Sequence, residues 1–182
     1  DCEEVVTQWC QKVRLFLAES DQIRQEGESV GPDAELAYWR ARMAKFDSVR
    51  MQVEQPFVKR CVGLLQVARS QVVADWSQVV GRISDCSNEA KDNVKYLYTL
   101  DRILEPLYRS DPVNMMESVP GLLSAVQMMY SIARYYSTPQ RVTGLFVKIS
   151  NQMIVACRAY ILRPTPADEE KARKEKAAAE AK

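Results

Sequence analysis

The chain has 182 residues, with 25 Lys plus Arg against 24 Asp plus Glu, five Cys and no His. A net charge of +1 leaves no global field to gather nucleic acid or an anionic membrane surface, and the absence of His removes Ser-His and Cys-His catalysis together with every His-containing zinc site. Six Gly and eight Pro are too few turn formers for many short strands, so a chain that is 47% hydrophobic points to long helices in one domain or two small bundles.

Residues 3–25 place Val5, Val6, Trp9, Cys10, Val13, Phe16 and Leu17 at steps of three and four, one apolar stripe on a helix. The run Gly27-Glu28-Ser29-Val30-Gly31-Pro32 ends it. A second helix follows from Asp33, with Leu36, Trp39, Met43, Phe46 and Val53 in register, and Gln55-Pro56 marks its end. From Phe57 to Ile83 the spacing of Cys61, Leu65, Val72, Trp76 and Val79 predicts one long helix, bent near Gly81. Ser84 and Asp85 are suited to cap the next helix, whose face carries Ala90, Val94, Leu97, Leu100, Leu104 and Leu107. Asn93 and Asp101 fall inside that apolar arc, where an unpaired polar group costs several kcal/mol, so both are expected to be hydrogen-bonded.

Ser110-Asp111-Pro112 predicts a short helical turn ending near Ser118. Val119-Pro120 then opens a helix through Tyr136, and Thr138-Pro139 opens the last one, to Leu162. The Pro120 helix is apolar on nearly every side, through Leu122, Leu123, Val126, Met128, Met129, Tyr130 and Ile132. Such a helix is either ringed by others of its own chain or covered in part by a partner. Residues 1–163 thus read as an all-α, elongated antiparallel helical bundle, or two bundles, of about six or seven helices without sheet. Residues 164–182 read as a charged Ala/Glu/Lys linker helix or frayed tail held in water by pairs such as Glu170–Lys174.

Little in the residues suggests chemistry. Cys2, Cys10, Cys61, Cys86 and Cys157 are scattered and odd in number, as suits reduced, buried thiols in a cytosolic setting. Phosphate-cradling glycine loops do not occur, and the paired carboxylates sit near the chain ends, so no enzyme activity, cofactor or metal is expected. The longest uncharged stretch, residues 118–133, falls short of the roughly 20 apolar residues of a bilayer span. Without an initiator Met or a signal peptide, the chain reads as a piece of something longer. Basic pairs such as Lys59-Arg60 fit a solvated helix face. Tyr96, Tyr98, Met128, Tyr135 and Tyr136 remain as candidate partner contacts, because large amphipathic and flexible apolar side chains are favoured at interfaces.

Four separated stretches, in order, carry a resemblance. They are Gly31-Pro32-Asp33-Ala34-Glu35-Leu36-Ala37-Tyr38-Trp39-Arg40-Ala41-Arg42; Asn88-Glu89-Ala90-Lys91-Asp92-Asn93-Val94-Lys95-Tyr96-Leu97, followed by Glu105-Pro106-Leu107-Tyr108; Ile132-Ala133-Arg134-Tyr135-Tyr136-Ser137-Thr138; and Leu145-Phe146 with Asn151-Gln152-Met153-Ile154. From about Val5 to Ile161 the chain resembles the N-terminal tail of dynein heavy chains, in particular the axonemal outer-arm, gamma-type members. The resemblance implies a helical tail segment that joins other dynein heavy chains, intermediate and light chains and docking factors. It also implies a place in the cytoplasm and cytoskeleton, at the axoneme of a cilium or flagellum. ATP hydrolysis and microtubule stepping would belong to AAA+ modules outside these residues. The alternative is a free-standing adaptor bundle whose groove receives a partner's amphipathic helix, with an unfamiliar enzyme far behind.

Overall fold

The structure, a computed structural model, describes residues 2–26, 32–109 and 112–163; the tail expected at 164–182 and the Gly27–Gly31 breaker lie outside them. Six helices follow one another: α1 (Cys2–Glu26), α2 (Pro32–Val53), α3 (Pro56–Val67), α4 (Val72–Arg109), α5 (Pro112–Ile132) and α6 (Pro139–Ile161). Among the described residues there is no strand, so the all-α expectation holds. Pro stands at the start of α2, α3, α5 and α6, where its fixed φ suits a first turn and its missing N–H has no intrahelical partner to lose.

The 38 residues of α4, about 57 Å long at 1.5 Å per residue, form the spine. Three apolar clusters lie along it. At one end Trp76 packs with Val6 and Cys10 of α1 and with Cys61 and Leu65 of α3. In the middle Val79 and Ile83 meet Val13 and Leu17 of α1 and Phe46 of α2. At the other end Leu97, Leu100, Leu104 and Leu107 pack with Trp39 of α2, Leu122, Val126 and Met129 of α5, and Leu145 and Ile149 of α6. The α5–α6 pair is an antiparallel hairpin, with Cys157 Sγ 3.9 Å from Met115 Sδ.

Polar links fix the helix register. Arg42, buried on α2, donates to the Ser20 carbonyl of α1 at 2.8 Å, and its guanidinium lies 4.9 Å from the centre of the Phe46 ring. Asp47 of α2 accepts from Ser87 Oγ at 2.9 Å and pairs with Lys91 Nζ, also at 2.9 Å, both on α4. The Lys91 bond holds the Asp47 carboxyl below its ordinary range, with help from Ser87 and against the pull of burial.

Four boundaries depart from the sequence expectations. The 57–83 helix breaks at Arg69 instead of bending at Gly81. Arg69 takes the left-handed conformation, with φ 57°. Ser70 N–H then reaches back to Leu65 O, and Arg69 N–H to Gln66 O, the paired bonds of a Schellman cap. Ser70 Oγ accepts from Val72 N–H and so opens the next helix. Helix α4 passes through Gly81, Ser84 and Asp85 without a break, because continuous burial of its other face outweighs the ~1 kcal/mol cost of one glycine.

The predicted break before Pro120 is also absent. Met115, Leu122, Val126 and Met129 share one buried face across it, and Pro120 itself sits on the exposed side of α5. That helix ends at Ile132 instead of Tyr136, with residues 133–138 forming a turn. Finally, the expectation for Asn93 fails at its amide nitrogen: the residue is 1% exposed, and Nδ2 has no partner among the described residues.

Candidate functional site

The five side chains singled out from the sequence separate into two groups. Tyr136, the largest departure, is 1% exposed and cannot meet a partner in this fold. It accepts from Trp39 Nε1 at 3.0 Å and donates to Glu35 Oε1 at 2.8 Å, while the other Glu35 oxygen takes the Lys148 ammonium. Burial first, and then the adjacent Glu35 carboxylate, push the Tyr136 phenol well above its ordinary range. Tyr135 is half-buried, edge-on to both Trp39 and Tyr136 at 4.8 Å, with the Arg141 guanidinium 4.2 Å from its ring centre. Together these residues make a polar corner tying α2 to the α5–α6 turn.

Tyr96 is half-buried against the main core. Tyr98 and Met128 are open to solvent, Tyr98 on α4 with Arg102 beside its ring and Met128 on α5. Met128 is not alone. Leu123, Met128 and Ile132 are 49%, 59% and 52% exposed, and Met116 and Tyr130 are exposed as well. Burial of Met115, Leu122, Val126 and Met129 accounts for only one side of α5. The helix that reads as apolar all round is therefore half covered by its own chain.

A second uncovered stripe escaped the sequence reading. On α6, Val147, Ile154 and Ile161 recur every seven residues on the side away from buried Leu145 and Ile149, at 49%, 49% and 76% exposure. Two apolar faces on one helix, in a segment without a single Asp or Glu between Pro139 and Arg163, were the available signal.

A crevice of about 250 Å³ between α1, α2, α3 and α4 is walled by Trp9, Trp76, Val13, Val49, Val53 and Val58, and its polar lining is Lys12 and Gln52. Such a set holds no acid–base pair to move a proton. Burial pushes the Cys10, Cys61 and Cys86 thiols up, the direction that makes a thiol inert. No group of three or more His, Cys, Asp or Glu among the described residues could hold a metal, and no described helix is long and apolar enough to cross a membrane.

A spine helix with apolar clusters strung along it and helix faces left bare defines an all-helical module. The chain belongs to the dynein heavy chain family: residues 1–181 match the model for dynein heavy chain, N-terminal region 1. It is 47% identical over 153 residues to "Dynein axonemal heavy chain 5" of Rattus norvegicus, covering 84% of this chain and 4% of that protein. It is 42% identical over 159 residues to "Dynein axonemal heavy chain 8" of Homo sapiens, covering 87% and 4%. To the "Dynein gamma chain, flagellar outer arm" of Chlamydomonas reinhardtii it is 40% identical over 162 residues, covering 89% and 4%. The chain thus spans about 4% of the length of these relatives.

Proposed function

We propose that these residues are a non-catalytic tail segment of an axonemal dynein heavy chain. The segment scaffolds contacts with other heavy chains and with intermediate and light chains, and it helps dock the motor at the axoneme of a cilium or flagellum. ATP hydrolysis and movement along the microtubule fall to parts of the heavy chain outside this segment, which itself uses no cofactor and binds neither nucleic acid nor membrane. The observation that carries this reading is the bare apolar side of α5. Met128 and Ile132, one turn apart on the same flank of α5, cost free energy in water that is recovered when a partner covers them. Family membership favours this reading over a free-standing adaptor.

The test is Met128→Asp in the full-length heavy chain. Because Met128 is exposed, the substitution leaves the helix content and thermal midpoint close to those of the wild type. Placed in an interface it buries an unpaired charge, and assembly measured by co-sedimentation of the other chains falls at least tenfold. Normal assembly by a normally folded variant overturns the reading.

A further inference from the structure

The bare stripe of α6 differs in kind from that of α5, because cations alone accompany it. Between Pro112 and Arg163 the charged residues are Glu117, Arg134, Arg141, Lys148, Arg158 and Arg163. Lys148 is taken by Glu35, and none of the four arginines has an acidic partner among the described residues. Arg158 is exposed, four residues beyond Ile154 and three before Ile161, so it stands within the stripe itself.

Resting on the assembly reading above, we propose that Val147, Ile154 and Ile161, with Arg158 among them, form the seat of an acidic amphipathic helix supplied by a partner protein. The 15 residues from Val147 to Ile161 span about 21 Å from the first to the last. That is about four turns, and it calls for a partner with apolar anchors at i, i+3 or i+4, and i+7. Charge decides between occupants. A basic helix meets Arg158 and Arg163 with repulsion, and a second copy of this face brings Arg158 against Arg158. A helix flanked by Asp and Glu gains both the apolar contact and the ion pairs.

The test titrates the chain with two labelled peptides of roughly 16 residues, built on Leu at i, i+3, i+4 and i+7 with either Glu or Lys at the flanking positions. The Glu peptide binds and the Lys peptide does not. Arg158→Glu weakens the Glu peptide roughly tenfold and lets the Lys peptide bind, and Ile154→Glu abolishes binding of the Glu peptide. Circular dichroism and thermal unfolding of both variants match the wild type, since both positions face solvent. Equal binding of the two peptides, binding of neither, preference for the Lys peptide, self-association lost on Ile154→Glu, or capture of the face by phosphatidylserine vesicles each overturns the proposal. In the assembled full-length heavy chain, a photo-crosslinker at position 154 labels a segment rich in Asp and Glu; label on a basic segment, on lipid or on a second copy overturns it. If Met128→Asp blocks assembly while the Glu peptide fails to bind, the assembly reading stands and this inference alone falls.

Discussion

Glu35 holds two donors at once, the Tyr136 hydroxyl and the Lys148 ammonium, and Tyr136 passes the chain of bonds on to Trp39. Removing the middle member strands both ends. Tyr136→Phe keeps the ring and its edge contact with Tyr135 but leaves the Trp39 N–H without its acceptor and Glu35 with one donor fewer. A loss of about 1–3 kcal/mol follows, read as a lower urea midpoint at unchanged slope. Asp47 gives the opposite kind of test, through pH. Lys91 and Ser87 hold its folded-state pKa below the ordinary 3.8. A depressed carboxylate contributes stability above its unfolded value, and the contribution disappears as pH falls through the folded one. Asp47→Asn therefore destabilises the chain at neutral pH, and the gap from the wild type closes below about pH 4. A gap that does not narrow as pH falls below about 4 would mean that the position matters through packing alone. None of these pairings could be read from spacing, because Glu35 and Tyr136 lie 101 residues apart.

Among the elements, Arg69 is the position at which the chain does something its residue type disfavours. A left-handed backbone at a residue with a Cβ costs about 1 kcal/mol, and the Schellman bonds to Leu65 and Gln66 hold it there. Arg69→Gly removes that strain at the position where helices prefer glycine, so the thermal midpoint rises with a gain of about 1 kcal/mol or somewhat less. The same residue explains why the sequence reading misplaced this boundary: Ala68-Arg69-Ser70-Gln71 has neither Gly nor Pro, and the cap is made by backbone bonds that leave no composition signal. Gly81 and Pro120 misled in the other direction. Both carry breaker chemistry, yet each sits opposite a continuous buried face, and packing outweighed local preference. Where proline and stripe agreed, at the openings of α2, α3 and α6, the boundaries were legible to within a residue or two, whereas the apolar helix read as opening at Pro120 begins at Pro112. The candidate contacts were legible in type only. Periodicity shows that Tyr136 and Met128 border apolar arcs, but which border faces solvent depends on where α2 lies across the turn.

For the molecule as a whole, the single spine raises the question of whether its two ends fold as one. Trp9 and Trp76 belong to the cluster at one end of α4 and Trp39 to the cluster at the other, while Ile83 lies in the middle cluster and is fully buried. Since α4 runs unbroken through all three, loosening its centre exposes surface shared by both ends instead of severing two independent units. Ile83→Ala removes buried methyl groups from a closed site and costs about 3 kcal/mol. If the spine couples the ends, fluorescence of a variant retaining only Trp39 and of one retaining only Trp9 and Trp76 reports the same downward shift in denaturant midpoint when Ile83→Ala is added to each. A shift confined to the Trp9 and Trp76 reporters would divide the segment into two units joined by a passive helix. For a part proposed to hold partner chains in place the difference matters: a cooperative rod keeps the faces at its two ends in fixed register along α4, whereas two loosely joined units would yield at the joint first.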